Sequence, residues 1–305
     1  MRLRLDHLID PHLRLLVDDS RAFYEHRAAG RGPTGFEELQ AIRARAGAPA
    51  PVDPPAVDEV VVAEGREVPV RIHAPVGGAA NGVFMEFHGG GFYMGSAAGS
   101  DARNRRMADA LGVAVVSVDY RLAPENPWPA APDDAETAAL WLVEHAGQRF
   151  GTGKLAVGGF SAGSTLAMTT LLRLRDRGID AFDCAVLQFG TYDLSAQTPP
   201  GRLIADEYFL EAYAGGAPDR THPDISPIYA DLSGLPPVLM VVGEHDILLQ
   251  DNLTMAARLS AFEVDVDLRI YPGAPHGFTG HPTPMAKAAL DDIETWLGGQ
   301  LGTTS

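Results

Sequence analysis

Cysteine is almost absent from the 305-residue sequence, which contains only Cys184. A single thiol cannot form an intramolecular disulfide, so nothing in the sequence requires an oxidising compartment. Cys184 lies within the apolar run of residues 181–189, and this setting favours a small buried side chain over a reactive thiol. We therefore interpret Cys184 as a core residue.

Long apolar runs are also missing. No stretch reaches the roughly 20 residues that a membrane-spanning helix needs. The first ten residues carry four charged side chains, unlike a secretory signal peptide: Arg2, Arg4, Asp6 and Asp10. We therefore expect a soluble, cytoplasmic protein with no membrane partner.

Positive charge is scarce relative to negative charge. The chain has 24 Lys and Arg residues against 40 Asp and Glu residues, which gives a formal net charge of -16. Such a charge repels phosphate backbones, which argues against a nucleic-acid partner and favours a neutral or cationic substrate. With 46% hydrophobic residues the chain can bury a large core, and an α/β fold of this length can form one domain.

Alternating strand and helix patterns fill most of the chain. A strand pair is predicted at residues 57–63 and 66–74, around a turn at Glu64-Gly65 and after a linker rich in Pro and Ala at residues 46–56. Strand and helix patterns then alternate over residues 83–87, 101–111, 113–118, 133–146, 155–158, 162 onward, 184–189, 237–242, 252–262, 266–271 and 286–297. Strands separated by helices of this length predict a mostly parallel sheet that is covered on both faces.

The segment before the first strand carries two helix patterns, at residues 11–27 and 36–45. The first pattern places five apolar side chains near one face: Leu13, Leu16, Val17, Phe23 and Tyr24. These side chains need a partner surface although they precede the sheet. They either pad the core or cover another part of the fold.

The strongest local motif is GxSxG at residues 159–163, between a strand pattern and a helix pattern. In a nucleophile elbow the serine lies on a tight strand-to-helix turn, so the residues two positions away must be small, as Gly159 and Gly163 are. The helix that begins after Ser161 would direct backbone N–H groups at a developing oxyanion. The motif alone fits a glycine-rich turn before a helix equally well.

A second motif, His88-Gly89-Gly90-Gly91, follows the predicted strand at residues 83–87. Three glycines let backbone N–H groups approach a substrate oxygen without obstruction by side chains. Because this motif lies upstream of a strand-GxSxG-helix unit, it predicts an oxyanion hole, with a flexible loop as the alternative. We interpret His88 as a hydrogen-bonding brace of the loop and not as a proton shuttle.

In proteins with such an elbow, the triad residues are expected to follow one another along the chain in the order Ser, then Asp or Glu, then His. His276 follows the last predicted strand and would accept the proton of Ser161. Glu244, Asp246 and Asp251 follow the strand before it. We expect Asp251 to open the next helix as an N-terminal charge or cap, and the residues alone favour Asp246 over Glu244 without deciding between them.

Nine other histidines compete with His276 for the role of general base. Beyond His88, most of them precede the sheet or the GxSxG motif, or lie in the irregular stretch before the acid: His7, His12, His26, His73, His145 and His222. His245 and His281 are nearer rivals, but His245 lies between the candidate acids in residues 243–246, which we call the acid loop. Glu244, His245 and Asp246 lack a second cluster at metal-ligand spacing, so we predict no metal and no organic cofactor.

These residues resemble the hormone-sensitive-lipase-like esterases, also called bacterial family IV esterases, of the α/β-hydrolase superfamily. The resemblance extends from about residue 83 to the C-terminus and includes the segments Asp119 to Glu125 (DYRLAPE), Pro129-Ala130-Ala131, Ser226-Pro227, Leu235-Pro236-Pro237 and Asp246 to Asp251 (DILLQD). It implies an α/β-hydrolase fold, with a mostly parallel central sheet, helices on both faces and a helical cap.

The resemblance also implies the site residues. Its triad would be the nucleophile of GxSxG, the first Asp of DILLQD and the His of a His-Gly-Phe segment: Ser161, Asp246 and His276. Its oxyanion donors would be three backbone N–H groups, those of Gly90, Gly91 and Ala162. By the same likeness, residues 120–125 form a structural loop. Phe160 and Ser164 depart from the family pattern, which usually has Asp or Thr before the serine and a second Gly after the motif, and these departures affect specificity more than activity.

A cap over the active site follows from the same resemblance, because N-terminal helices and an excursion after the elbow form one in this family. We therefore expect residues 1–50 to be an N-terminal cap segment and residues 51–305 to be the catalytic domain, with a cap excursion around residues 191–224. The side chains expected to line the substrate site are Phe92, Phe160, Tyr208 and Phe209.

Motifs and resemblance together predict a serine carboxylesterase that hydrolyses small to medium acyl esters through an acyl-enzyme. An amidase, lactamase or deacetylase with the same triad stays open, because one oxyanion hole serves ester and amide carbonyls alike. A non-catalytic ligand-binding protein is the third alternative. The expected partner is a small-molecule ester, and the sequence leaves the oligomeric state open, a homodimer included.

Overall fold

One sheet of eight strands organises the chain in the computed structural model, which describes residues 5, 8–25 and 32–303. The strands are β1 Val57–Ala63, β2 Arg66–His73, β3 Val83–Phe87, β4 Ala114–Val118, β5 Leu155–Phe160, β6 Cys184–Gln188, β7 Val238–Gly243 and β8 Val266–Tyr271. Their order across the sheet is β1-β2-β4-β3-β5-β6-β7-β8. β2 is antiparallel to both of its neighbours and the other pairs are parallel, which confirms the predicted mostly parallel sheet.

Helices cover both faces of this sheet, as predicted. The α-helices of the described residues are α1 Val17–Tyr24, α2 Phe36–Arg45, α3 Asp101–Leu111, α4 Ala130–Phe150, α5 Ala162–Asp176, α6 Tyr208–Ala214, α7 Leu249–Ala261 and α8 Pro284–Leu301. Apolar side chains of α4, α5 and α7 form one core cluster with the sheet, and those of α3 and α8 form a second. None of these helices has both the length and the apolar character needed to cross a membrane, as far as the described residues extend.

The strands in the middle of the sheet are apolar on both faces because both faces are covered. β3, β4, β6 and β7 are buried along their whole length. Glu86 interrupts the apolar run of β3, and its buried carboxylate accepts hydrogen bonds from Ser100, Asn104 and Ser117. Cys184 is buried at the start of β6, as expected, and burial raises the pKa of its thiol to about 12.

The helix boundaries differ most from prediction at α4 and α7. α4 begins at Ala130 and not at residue 133, because Pro132 is tolerated in the first helical turn, where an N–H group has no partner within the helix. It continues to Phe150, beyond the predicted end at residue 146. α7 begins at Leu249, before the predicted start at residue 252.

The segment before β1 contains a 3-10 helix, Pro11–Leu16, which continues into α1. The helix predicted at residues 11–27 is therefore confirmed as far as Tyr24, with a tighter first part, and α2 has the predicted bounds. The linker at residues 46–56 forms no helix or strand, as expected. Six residues used in the predictions lie outside the described ones: Arg2, Arg4, Asp6, His7, His26 and Arg27.

Arg173 on α5 joins three parts of the chain. Its guanidinium donates to Asp224, at the end of the excursion that follows β6, at 2.6 and 2.7 Å. It also donates to Asp133 at 2.9 Å and to Glu136 at 2.8 Å, both on α4. The side chains of Asp224 and Glu136 are at most 9% exposed, so this network holds the excursion and α4 against α5 in a largely buried setting.

We expect Arg173→Met to lower the free energy of unfolding by about 2 to 3 kcal/mol, because largely buried carboxylates lose their charged partner. Urea unfolding monitored by circular dichroism measures this change. Lys287→Met is the matched control, since the ion pair of Lys287 with Asp291 is solvent-exposed and contributes less than about 0.5 kcal/mol. Equal losses in the two variants would contradict the structural importance of the Arg173 network.

Candidate active site

Ser161 occupies a sharp turn between β5 and α5. Its backbone has a φ of 54° and a ψ of -123°, a conformation that a residue with a side chain adopts only under strain. The turn packs tightly against the end of β3. A Cβ atom on Gly163 would overlap the carbonyl groups of Phe87 and His88, and one on Gly159 would lie 2.5 Å from the carbonyl carbon of Gly163. The two glycines of the GxSxG motif therefore allow this close approach.

His276 joins Ser161 to Asp246 in one chain of hydrogen bonds. Its Nε2 atom lies 3.0 Å from the Ser161 Oγ, and its Nδ1 atom lies 3.0 Å from each carboxylate oxygen of Asp246. A carboxylate can only accept, so Nδ1 carries the proton and Nε2 is left to accept the serine hydroxyl. The Asp246 side chain has no exposed surface, whereas the His276 side chain is 36% exposed, so the site is open to small molecules.

Asp246 and Glu244 have different partners, which separates the two acids that the residues alone left open. Asp246 accepts the Leu248 N–H group at 2.8 Å in addition to its contact with His276. Glu244 accepts the Gly273 N–H group at 2.9 Å. Glu244 thus holds the backbone of residues 272–283, which connect β8 to α8 and are called the base loop below.

Asp251 lies in the first turn of α7, as expected for an N-terminal charge, but it does not cap the helix. The N-cap residue is Leu248, and the Asp251 carboxylate accepts the N–H groups of Tyr192 at 2.6 Å and Asp193 at 3.4 Å. Burial raises the pKa of Asp251 to about 7. This carboxylate therefore connects the loop after β6 to the helix that follows the acid.

The three backbone N–H groups predicted to be oxyanion donors are those of Gly90, Gly91 and Ala162. Within the described residues, none of them donates a hydrogen bond to another group of the chain. Gly90 has a φ of 117°, and a Cβ atom there would overlap the Met94 carbonyl, so only glycine fits. Ala162 is the first residue of α5, whose N-terminal dipole adds positive potential at this point.

His88 is a buried brace of the glycine-rich loop. Its Nδ1 donates to the Gly89 carbonyl at 2.8 Å, its ring stacks on Tyr120 at 4.2 Å, and the Tyr120 hydroxyl donates to the His88 carbonyl at 2.8 Å. Burial lowers the pKa of His88, which favours the neutral ring. These contacts agree with a bracing residue, and Tyr120 lies in the segment expected to be structural.

Phe160 and Ser164, the two residues that depart from the family pattern, both pack within the turn that carries Ser161. The Ser164 hydroxyl donates to the carbonyls of Gly159 and Gln188 at 2.8 and 2.9 Å. The Phe160 ring lies beside Gly89, where a Cβ atom would be 2.7 Å from its Cδ2 atom. The Arg103 guanidinium carbon is 4.1 Å from the centre of the same ring, which is a cation–π contact.

The four side chains predicted to line the substrate site have different surroundings. Phe160 and Phe209 lie beside the glycine-rich loop, since a Cβ atom on Gly91 would be 3.2 Å from the Phe209 Cβ. Tyr208 stacks on Tyr93 at 6.1 Å. Phe92 has no exposed surface and stacks on Tyr213 at 3.9 Å, so it supports the loop from within the core.

The two nearer rivals of His276, His245 and His281, have other surroundings. His245 is exposed on the acid loop. The His281 Nδ1 atom lies 3.2 Å from the Tyr24 hydroxyl, and its ring packs on Phe23 and Tyr24. Among the described residues, no group of three or more His, Cys, Asp and Glu side chains is arranged to hold a metal ion.

Helix α1 packs against the base loop and against α8. The Ser20 hydroxyl accepts the Met285 N–H group at 3.2 Å, and Tyr24 meets His281 as described above. A Cβ atom on Gly273 would lie 3.2 Å from Val17. The apolar residues of the first helix thus find their partner surface on α8 and on the loop that carries His276.

Three further residues contact the site without having been predicted. Arg43 on α2 donates to the Tyr93 carbonyl at 2.8 Å and to the Ala123 carbonyl at 2.6 Å. Thr279 of the base loop donates to the side chain of Gln188 at 2.9 Å. The one sequence feature that could have pointed to these contacts is Gln188 itself, a polar residue at the end of an otherwise apolar strand.

Several known proteins are similar in sequence to this chain over most of its length. A family model described as alpha/beta hydrolase fold matches residues 84–280. The carboxylic ester hydrolase LipN of Mycobacterium tuberculosis is 33% identical over 296 residues, with 88% of this chain and 77% of LipN covered. The arylesterase of Saccharolobus solfataricus is also 33% identical, with 77% of this chain and 83% of the relative covered.

Solved structures agree with these relatives. An esterase from Pyrobaculum calidifontis has a TM-score of 0.77 and 28% identity, with 95% of this chain and 98% of that chain covered. A thermostable esterase from Pseudomonas putida has a TM-score of 0.81 and 26% identity, with 93% and 97% covered. A hormone-sensitive lipase from a metagenome library has a TM-score of 0.73 and 30% identity, with 96% and 99% covered. The chain therefore belongs to the hormone-sensitive-lipase-like, or bacterial family IV, esterases of the α/β-hydrolase superfamily, and it is a carboxylic-ester hydrolase.

Proposed function

We propose that Ser161, His276 and Asp246 form the catalytic triad of this esterase and that its substrates are small to medium acyl esters. Ser161 attacks the ester carbonyl, and His276 accepts the hydroxyl proton and returns it to the leaving alcohol. Water then hydrolyses the acyl-enzyme with the same base. The observation that carries the proposal is the continuous hydrogen-bonded chain from Ser161 through His276 to Asp246, with a distance of 3.0 Å at each contact.

The N–H groups of Gly90, Gly91 and Ala162 are the proposed oxyanion hole. Their lack of an acceptor among the described residues supports this role, because a donor without a partner is ready to stabilise the tetrahedral intermediate. The strained turn at Ser161 supports the same role, because Ala162, one of these donors, is the residue that follows it. The buried Asp246 keeps His276 in the required tautomer and stabilises the imidazolium that forms.

The proposed cap includes α2 and α6, which both contact Tyr93, the second residue after the glycine-rich loop. Arg43 holds α2 to the backbone of Tyr93, and the ring of Tyr93 packs against Tyr208 and Phe209 of α6. This arrangement supports an acyl pocket with an apolar wall. The assignment of residues 1–50 and 191–224 to the cap stays part of the proposal, and the contacts of α1 described above are with the base loop and α8.

Cytoplasmic location and a homodimer stay predictions. The net charge of -16 supports a neutral or cationic ester over an anionic one as the substrate. No residue of the described chain requires a metal or an organic cofactor for the steps above.

Ser161→Ala is expected to lower kcat for a chromogenic acyl ester by at least about 10⁴-fold, because the nucleophile is removed. The same change should abolish labelling by a fluorophosphonate probe, read by intact-protein mass spectrometry. Ser260→Ala, on the exposed surface of α7, is the matched control and should be labelled at the wild-type rate. Undiminished labelling of the Ser161→Ala protein would move the nucleophile elsewhere.

Asp246→Asn is expected to reduce kcat by about 10³-fold or more, since an amide at this position favours the wrong tautomer of His276. Glu244→Gln should reduce kcat by less than about 10-fold, because its amide oxygen can still accept the Gly273 N–H group. Steady-state kinetics of both variants with one ester tests the ranking. The reverse ranking would assign the acid to Glu244.

Arg43→Met is expected to loosen α2 and to change the preference between short and medium acyl chains. The ratio of kcat/KM for a butyrate and an octanoate ester should shift by about threefold or more, through KM for the longer ester. Arg45→Met, on an exposed position of the same helix, should leave the ratio unchanged. If the two variants have the same ratio as the wild type, α2 does not line the acyl pocket.

A further inference from the structure

Gln188 is the last residue of β6 and lies between the strands of the nucleophile and the acid. It is paired with Phe160 of β5 on one side and with Val241 of β7 on the other. Only 4% of its surface is exposed. An uncharged polar side chain in such a buried position must find a hydrogen-bond partner, since an unpaired amide is costly there.

The backbone of Gln188 holds the nucleophile turn. Its carbonyl oxygen accepts the N–H group of Ser161 at 2.9 Å and the hydroxyl of Ser164 at 2.9 Å. These two bonds fix Ser161 and Ser164 against the end of β6. The position of Ser161 is therefore tied to the end of β6.

The side chain of Gln188 holds the base loop. Its Oε1 atom accepts the hydroxyl of Thr279 at 2.9 Å, and Thr279 is 4% exposed. Thr279 lies three residues after His276, within the 3-10 turn Phe278–Gly280. In the part of the chain that the structure describes, two side-chain hydrogen bonds join the base loop to the region of β5 and β6. One is the contact between Ser161 and His276, and the other is the bond between Gln188 and Thr279.

The next residue, Phe189, supports the ring of His276. The two rings meet edge to face, with 5.1 Å between their centres and an angle of 74° between their planes. Phe189 also packs against Phe278, at 6.1 Å, on the same base loop. The end of β6 thus contacts the nucleophile turn through its backbone and the base loop through two successive side chains.

We propose that Gln188 and Thr279 are positioning residues, and that their hydrogen bond sets the distance between Ser161 Oγ and His276 Nε2. We call this pair the Gln188–Thr279 latch. It joins the strand end that holds the nucleophile turn to the loop that carries the base, whereas Asp246 orients the ring of His276 itself. Since an error of about 1 Å in the placement of reacting groups can cost up to about 10²-fold in rate, loss of the latch acts on the chemical step and not on substrate binding.

Thr279→Val removes the hydroxyl while keeping the shape of the side chain, and Gln188→Met removes the amide while keeping its length and the backbone carbonyl. Each variant is expected to lower kcat by about 10-fold and to leave KM within about twofold. Fluorophosphonate inactivation should slow by the same factor, because it reports activation of Ser161 without the binding of an ester. The double variant should be no slower than either single one, as expected of two residues that act as a unit.

Thr279→Ser restores the donor and should keep kcat within about twofold of the wild type. Thr170→Val is the matched control for loss of a buried threonine hydroxyl, because Thr170 on α5 donates only to the Leu166 carbonyl of its own helix. Thermal unfolding of every variant separates a loss of stability from a loss of rate. Should Thr279→Val fail to fold, the comparison of Thr279→Ser with Thr279→Ala replaces it.

The inference rests on the proposed functions of Ser161 and His276. The experiment distinguishes a failure of the inference from a failure of those functions. Turnover by Ser161→Ala would overturn the proposed function itself. With that function intact, an unchanged kcat in Thr279→Val and Gln188→Met would overturn the latch. So would a loss of kcat in Thr279→Ser as large as in Thr279→Val, additive losses in the double variant, or an equal loss of kcat in Thr170→Val.

Discussion

The turn that carries Ser161 packs so closely on the end of β3 that neither Gly159 nor Gly163 can bear a side chain. This approach brings two loops from different strands to one point. The loop after β3 supplies two of the proposed oxyanion donors, the N–H groups of Gly90 and Gly91. The turn after β5 supplies the third, the N–H group of Ala162, and the hydroxyl of the proposed nucleophile, Ser161. A single methyl group at Gly163 would separate them, because it would overlap the β3 backbone. The donors and the nucleophile can therefore act on one carbonyl only while this contact is kept.

The parallel arrangement of β5, β6, β7 and β8 supplies the remaining groups. Parallel strands end at the same edge of a sheet, so the loops that follow them meet there. Gly243 is paired with Tyr271 in the register of β7 and β8, which places the acid loop beside the base loop. Glu244 then holds the base loop by its backbone, and Asp246 holds the ring of His276. The structure thus fixes His276 from the side of β7 and from the side of β6 at the same time.

Much of this architecture could be predicted from the sequence, for a physical reason in each case. Central strands such as β3 and β7 are apolar throughout because both faces are covered, and the glycines of HGGG and GxSxG stand where the backbone has no space for a side chain. The choice between Glu244 and Asp246 could not be made from the residues alone, since two acids two positions apart lie in the same loop. Only their orientation separates them, and the resemblance to known esterases had to make that choice.

Contacts between distant parts of the chain were beyond prediction. Gln188 and Thr279 are 91 residues apart and meet because β6 and the base loop end at one edge of the sheet. The partner of the first helix was left open for the same reason, because a pattern of apolar residues reveals a buried face and not the surface that it meets. Pro132 made the start of α4 hard to predict, since proline is unfavourable within a helix but tolerated in its first turn.

The attachment of α1 to the base loop has a consequence for how the protein loses activity on warming. Within α1 only Ser20 is buried, and the helix touches the body of the protein through α8 and residues that flank His276. Peripheral elements with few buried contacts open at a lower free energy than the whole domain. Detachment of α1 would remove one support of the base loop while Glu244, Asp246 and Gln188 still tie that loop to the folded sheet. The N-terminal segment therefore bears more directly on the heat resistance of catalysis, through the loop that carries His276, than on that of the sheet.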